Sequence, residues 1–511
     1  MARYFLGIDY GTGGMKACIT DEELNVLGYA FREYRIISEK SGWSEHIGED
    51  YWRKTCEAIR ECLFVSGVKK EEVLGISLSC AMPSLVMVDA KGAVIQNAYN
   101  LMDRRATKQA AWICDNIGSD NYFEVVGNRL EDHHGVVNLM WERENRPENF
   151  KRIHKALSVA GFVKYRLTGL FNESCAVASF LGAFDIRKKC FDEPMLAKMG
   201  FSKEIFGEVT PCETIIGTLT KTAAEETGLT EKTIVISGHA DACAGWLGAG
   251  AIHNGDMQMN LGTSGNFGII NERDAFDSRM GINVIYTEKQ YVVIPSTMTG
   301  GQSLRYLRDN FSPLERTIEA EAHINAYDLL NREAEKIPVG SEGLIVLPYL
   351  MGERSPFWDA DARGAVLGMS LNHTRAHLTR AMMEGVAYAM YLSYAEIKED
   401  YQINYPIVLN EGGAVSDIWR TIITNVFNVP TALVKNRGGA PYGNCIIVGK
   451  TCGVYDSYEI AREKAEYVKY MEPDPAKHEV YMDYFETFRR AYDNLQSTYK
   501  DLADIRKKYK L

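Results

Sequence analysis

The same short pattern occurs twice in this chain, once near the start of each half, and each copy has the composition of a turn that holds phosphate. The first runs Asp9-Tyr10-Gly11-Thr12-Gly13-Gly14-Met15 and the second Asn260-Leu261-Gly262-Thr263-Ser264-Gly265-Asn266. Short apolar stretches flank both, Tyr4 to Ile8 and Ala17 to Ile19 around the first, Met257 to Met259 and Phe267 to Ile270 around the second. The spacing predicts strand, tight glycine turn, strand. Glycine in such a turn lets successive backbone N–H groups converge on an anion with no Cβ in the way. Thr12 and Thr263 add hydroxyl donors, and Asp9 at the strand end can hold a hydrated metal ion. Either copy alone is simply a glycine hairpin. Two copies, one per half, point to an internal duplication.

A chain of 511 residues is too long for one ordinary core, so two domains are expected. The boundary falls near residue 250, giving an N-terminal domain of residues 1–250 and a C-terminal domain of residues 251–511. A net charge of -11 argues against nucleic acid or an anionic membrane as partner. An anionic ligand must therefore be bound by local donors, such as the two turns. The 11 cysteines include no C-x-x-C pair or metal-ligand spacing, which fits a reduced, cytoplasmic setting. Met1-Ala2-Arg3 leads straight into the first strand, leaving no room for a signal peptide, and no apolar run approaches the ~18 residues that span a bilayer.

Short apolar strands alternate with amphipathic helices through both halves. Tyr51 to Val65, Ala376 to Ile397 and Ile418 to Phe427 have helical spacing; Leu74 to Leu78, Leu85 to Val88, Thr233 to Ile236, Leu344 to Leu347 and Ile407 to Asn410 read as strands. Ala240 to Ala251 is rich in small residues and suits a helix packed closely on a sheet. The tail from Lys477 to Tyr509 carries Val480, Tyr481, Tyr484, Phe485, Phe488, Tyr492 and Leu495 on one helical face.

Asp241 is the strongest catalytic candidate, lying just beyond the strand Thr233 to Ile236 at the start of the small-residue helix. A carboxylate there can take a proton from a hydroxyl attacking phosphorus; the competing reading is a helix N-cap. His239 is expected as a structural neighbour. Gly412-Gly413-Ala414-Val415-Ser416-Asp417 follows a strand and opens a helix, a setting that can receive part of a nucleotide. Gly449-Lys450-Thr451 imitates the end of a P-loop, but Asn444 stands where that motif needs glycine. His133-His134, beside Glu131 and Asp132, reads as a solvated loop.

With these residues in hand, the chain resembles the FGGY family of carbohydrate kinases over nearly its whole length, closest in motifs to xylulokinases and FGGY gluconokinases. The resemblance rests on Gly7-Ile8-Asp9-Tyr10-Gly11-Thr12 with Lys16, Gly42-Trp43-Ser44-Glu45, Asp103-Arg104-Arg105-Ala106, Asp241, Gly262-Thr263-Ser264, and the stretch Leu347 to Pro356 with Trp358-Asp359 and Ala362-Arg363-Gly364. The family's second signature is matched by Gly364 to Glu384. Its first signature departs at Gly135, Asn138 and Glu142, Leu101 replaces a common Trp, and Met82-Pro83 stands where xylulokinases usually carry Met-His. Pro83 brings no side-chain donor or acceptor to that substrate contact.

The resemblance implies an α/β fold of two similar actin/hexokinase-like (ribonuclease H-like) domains with an interdomain catalytic cleft. It implies ATP and Mg²⁺ as cofactors, Asp241 as general base, and Asp9 holding the metal through water. Gly11, Thr12, Gly13, Lys16, Gly262, Thr263, Gly301, Gly413 and Asp417 would meet the nucleotide; Met82, Pro83, Asp103, Arg105 and Asp241 the sugar. The expected substrate is a ketopentose, with a sugar acid such as gluconate, a polyol or an autoinducer-type dione as alternatives. No nucleic acid or membrane partner is expected, and a homodimer is left open. Outside this class stand an actin- or chaperone-like ATPase, which would need no Asp-Arg pair at 103 and 105, and a sugar-sensing transcription factor, which would need a helix-turn-helix segment.

Overall fold

The computed structural model describes residues 3–435 and 438–509; Met1 and Ala2, read above as leading into the first strand, lie outside them. β1 (Tyr4–Tyr10) is buried along nearly its whole length, as a central strand covered on both faces must be. It turns through residues 11–13 into the antiparallel β2 (Gly14–Thr20), and β3 (Val26–Glu33) closes that edge with exposed positions interleaved among buried ones. α1 (Gly48–Ser66) follows and ends on Gly67 at φ 67, whose N–H returns to Leu63 O. β4 (Val73–Cys80) then joins the other side of β1 in parallel. Much later in the chain come β5 (Ile215–Thr218), β6 (Ile234–Ile236) and the two-residue β7 (His239–Ala240), which opens into α2 (Asp241–Gly248). The sheet order is β5-β6-β4-β1-β2-β3, with β7 also on β4.

The second half builds the same sheet again. β8 (Asp256–Leu261) and β9 (Gly265–Asn271) form its hairpin, and β10 (Ile282–Ile285) and β11 (Tyr291–Ile294) extend one edge. After α3 (Gly301–Phe311) and α4 (Arg375–Ile397), β12 (Asn404–Asn410) lies parallel to β8. α5 (Asp417–Phe427) leads to β13 (Thr431–Val434), α6 (Gly439–Thr451) leads to β14 (Tyr467–Met471), and the order is β10-β11-β9-β8-β12-β13-β14. Counted outward from either hairpin, the succession of antiparallel and parallel pairings is the same as far as the first sheet extends, and the second carries one more antiparallel strand, β10. The duplicated pattern therefore sits at equivalent points of two equivalent sheets. The copies differ in one respect: Tyr10 pairs with Met15 across the first turn but Leu261 with Gly265 across the second, a turn one residue shorter.

The halves are joined by backbone laid directly on backbone. α6, which belongs to the second half by sequence, packs on β1 and β4 of the first sheet and crosses α2. A Cβ on Gly443 would fall 1.8 Å from Ala244 O, and one on Gly7 1.8 Å from Pro441 O, so only glycine permits either approach. The apparent P-loop residues form the C-terminal end of α6, where Lys450 donates to Glu213 at 2.8 Å. A second joint packs β10 and β11 residues Val284, Ile285 and Val292 into one core with Leu85, Phe180 and Leu181. There Asn283 N–H donates to Asn128 Oδ1 at 2.7 Å, and Asn128 Nδ2 returns a bond to Asn283 O at 3.0 Å.

The C-terminal helix α7 (Pro475–Tyr509) buries Tyr481, Phe485, Phe488, Tyr492 and Tyr499 against the second half. Val480, expected on that face, is largely exposed, because the seam runs through the positions one residue later. His133 and His134 also differ from expectation. Both are buried, His134 Nδ1 lying 2.9 Å from the Tyr122 hydroxyl, and burial pushes its imidazole down to about 4. All eleven cysteines are unpaired. No helix among the described residues is long and apolar enough to cross a membrane.

Candidate active site

Three parallel strands end side by side. In the pairing of β1, β4 and β7, Asp9 lies opposite Ser79, and Ser79 opposite His239. The chain beyond these strands brings Asp9, Met82-Pro83 and Asp241 to one edge of the sheet, the carboxyl end at which open α/β sheets gather ligands. Asp241 is the first residue of α2. The cap is Ala240, with no side-chain cap bond, so the N-cap reading of Asp241 does not hold; among the described residues its Oδ1 accepts only the neighbouring Ala242 N–H, at 2.7 Å. His239 is occupied by main chain, its ring nitrogens lying 2.7 Å from Tyr286 O and 2.9 Å from Ala240 N.

Asp9 is 5% exposed, and its Oδ1 accepts the Ser79 hydroxyl at 2.8 Å. Ser79 Oγ in turn accepts Asn444 Nδ2 at 2.8 Å, a bond that runs from α6 of the second half into the first sheet. Burial raises the Asp9 carboxyl above the ordinary range, against the Ser79 bond and the Lys16 charge. Burial also raises Asp241, and the negative charge of Asp9 raises it further. Two carboxylates in one poorly solvated place repel each other, and a bound cation relieves both.

Asp9, Gly11, Lys16 and Asp241 line a cavity of about 730 Å³ whose other wall comes from the second half: Gln258, Asn260, Gly262, Thr263, Ser264 and Asn266. A second cavity of about 450 Å³ shares Gly262, Thr263 and Gly412 with it and is walled by Gly301, Leu304, Arg305, Asn325, Tyr327, Gly413 and Trp419. The start of α3 seals the second turn, with Gly300 and Gly301 N–H donating to Thr263 O and Gly262 O at 2.9 and 2.6 Å. Among the described residues, the N–H groups of Gly262, Thr263 and Ser264 have no acceptor. In the first turn Gly11 N–H is consumed by Gly14 O at 3.0 Å, leaving those of Thr12 and Gly13. The free N–H groups of the second turn, a lysine and a carboxylate pair on one cavity can hold a polyphosphate and supply a proton-accepting base.

Residues 4–248 match the N-terminal domain of the FGGY family of carbohydrate kinases, and residues 257–451 match its C-terminal domain. The chain belongs to the FGGY family of carbohydrate kinases. It is 28% identical over 512 residues to the xylulose kinase of Bacillus subtilis, covering 99% of this chain and 100% of the relative. It is 25% identical over 465 residues to the gluconokinase of Bacillus licheniformis, covering 91% and 90%. Its fold matches the gluconate kinase of Lactobacillus acidophilus at a TM-score of 0.91 (22% identity, 98% and 100% covered) and the xylulose kinase of Rhodospirillum rubrum at 0.89 (25% identity, 98% and 100% covered). The chain is thus a carbohydrate kinase, transferring phosphate from ATP to a sugar hydroxyl.

Other expected site residues of the kinase lie apart from these cavities. Thr12 and Gly13 form the tip of the first turn, outside both cavity walls, with Tyr34 N–H donating to Gly13 O at 2.9 Å. Asp417 stands outside both cavities, its exposed carboxylate paired with Arg420 and, at 3.6 Å, Lys469; the adjacent Ser416 caps α5 and lines the smaller cavity. Asp103 and Arg105 face each other in a buried ion pair at 2.6 Å. Asp103 also accepts Ser44 N–H at 2.7 Å, and Arg105 Nη2 reaches Glu45 at 2.7 Å. The guanidinium lies 3.8 Å from the Trp43 ring centroid and 4.1 Å from that of Tyr99, with Nη1 left unpartnered among the described residues. The Asp-x-Arg pair thus holds the Gly42-Trp43-Ser44-Glu45 segment. Met82 is half-buried and Pro83 buried, joined by a cis peptide bond. Sequence reasoning passed over Ser79 and Glu411, and noted Asn444 only as the residue that spoils a P-loop.

Proposed function

We propose that this kinase phosphorylates a ketopentose, D-xylulose foremost, with Asp241 as general base. The observation that carries the reading is the place of Asp241, just beyond the strand ends near which Met82-Pro83 also lie, and on the wall of a cavity that holds residues of both turns. A sugar hydroxyl held there gives its proton to Asp241 as its oxygen attacks the γ-phosphorus. The raised proton affinity of Asp241 suits a base working near neutral pH. Gly11, Lys16, Gly262 and Thr263 would meet the phosphates, with Thr12 and Gly13 offering free N–H groups at the tip of the first turn, and Gly301 and Gly413 would meet the nucleoside. Asp9 would hold hydrated Mg²⁺, and its donor set fits, since Oδ2 has no hydrogen bond among the described residues while Ser79 steadies Oδ1. When bound, the ion offsets phosphate charge.

On the sugar side, Met82 and Pro83 would form a wall. Asp103 would orient Arg105, whose Nη1 has no partner among the described residues. The full-length likeness to a xylulose kinase supports the ketopentose. The likeness to a gluconokinase, with the absence of a side-chain donor at Pro83, favours a sugar acid as second reading. ADP release from the wild type and Asp241→Ala, offered ketopentoses, aldonates, polyols and a furanone-derived dione, tests both. We expect the highest kcat/KM on a ketopentose, and a kcat lower by at least ~10²-fold in Asp241→Ala with ATP affinity nearly unchanged. A wild type inert toward ketopentoses but active on an aldonate or polyol overturns the sugar. Retained kcat in Asp241→Ala overturns the base.

A further inference from the structure

Glu411 holds a backbone conformation that side chains avoid, φ 71 and ψ −177, a region occupied almost only by glycine. Two glycines follow it, yet the chain keeps a carboxylate at this point. Its side chain lies over the second phosphate turn: a Cβ built on Gly262 would sit 3.7 Å from Glu411 Cγ and 3.9 Å from its Cδ. Glu411 is exposed, and its carboxylate has no hydrogen bond or ion pair among the described residues. It lines the larger cavity, while the adjoining Gly412 is shared with the smaller one, as are Gly262 and Thr263. Glu411 therefore stands at the rim where the two cavities meet.

With the triphosphate in the larger cavity and the base in the smaller, the ribose must cross that rim. We infer that Glu411 reads the ribose of the nucleotide, its two carboxylate oxygens accepting hydrogen bonds from the 2′- and 3′-hydroxyls. A carboxylate has acceptors only, which match the two donors of a cis-diol. The phosphates would repel it, and the neutral diol is the polar part of the nucleotide it can meet at this rim. Strain held at a ligand site, where the surrounding structure over-determines it, points to function of this kind. The inference rests on the nucleotide placement proposed above.

Titration calorimetry of the full-length wild type, Glu411→Gly and Glu411→Gln with ADP, 2′-deoxy-ADP and 3′-deoxy-ADP, at several Mg²⁺ concentrations, tests it. The wild type should prefer ADP over each deoxy form by about 10-fold or more, the scale of a hydrogen bond to a charged group. Glu411→Gly should bring the three ligands within ~2-fold by weakening ADP most and each deoxy form, which keeps one hydroxyl, less, leave the KM for sugar unchanged, and not lower Tm, since glycine accepts φ 71. Glu411→Gln should retain part of the preference. Equal wild-type affinity for ADP and both deoxy forms overturns the inference and leaves the nucleotide site standing. Binding of none of them overturns both. A Glu411→Gly defect equal for all three ligands and reversed by Mg²⁺ assigns the carboxylate to a cation and overturns the ribose reading.

Discussion

Replacing Asn444 by alanine would cut the polar tie between the two halves at the floor of the active site. Asn444 is fully buried on α6; its Nδ2 donates to Ile8 O at 2.9 Å and to Ser79 Oγ at 2.8 Å, and its Oδ1 accepts Ser77 Oγ at 3.1 Å. Alanine removes all three bonds and strands the Ser77 hydroxyl in a sealed space. The stranded Ser77 donor costs about 1–3 kcal/mol, and the two other lost bonds about 1 kcal/mol each net, so roughly 3–5 kcal/mol is expected for the whole change. The helix cannot move in to close the gap, because Gly443 is already against the Ala244 carbonyl and Gly7 against that of Pro441. At about 2–4 °C per kcal/mol for a domain of this size, Tm should fall by roughly 6–20 °C. Calorimetric unfolding measures that drop, and steady-state kinetics measures its reach. With Ser79 no longer held by Asn444, Asp9 is less well placed, so the Mg²⁺ and ATP requirements should rise several-fold while the KM for sugar holds. A Tm within about 1 °C of wild type would refute the joint, since the predicted cost is several times larger. A lowered Tm with unchanged Mg²⁺ dependence would refute the link from Asn444 to Asp9.

Ser79→Ala removes the hydrogen bond that opposes the burial-driven rise of the Asp9 carboxyl. Its folded-state pKa must then rise further, so the carboxylate is lost at a higher pH on acidification. The acid limb of the rate profile should move to higher pH, and a profile superimposable on wild type would refute the role of Asp9. Pro83→His restores a side-chain donor beside Met82. If the native substrate is a ketopentose whose hydroxyl is met by another group, activity on D-xylulose should stay similar or fall slightly; a gain on D-xylulose with a loss on a sugar acid would refute the ketopentose reading.

Much of this protein is written in short stretches. The two turns, the apolar runs that became β1, β4, β8 and β12, the helical spacing of α1, α4, α5 and α7, and the small-residue helix after His239 each depend on neighbours within a few residues. Glycine placement and hydrophobic period suffice for them. Asp241 was legible for the same reason, as an acid directly after a strand and at the start of a helix. What depends on tertiary packing was not. His133 and His134 read as a polar loop but are buried, His134 against Tyr122 and Phe180, and Asp417 faces solvent because Arg420 and Lys469 hold it. The Asn444–Ser79–Asp9 chain links residues with no local pattern in common. Sequence alone determined which segments could be strand, turn or helix, and that the phosphate turn came twice. Only the tertiary structure decided that α6 returns from the second half to lie on the first sheet, because that choice rests on glycine faces meeting across the molecule, and such a match leaves no period in the chain.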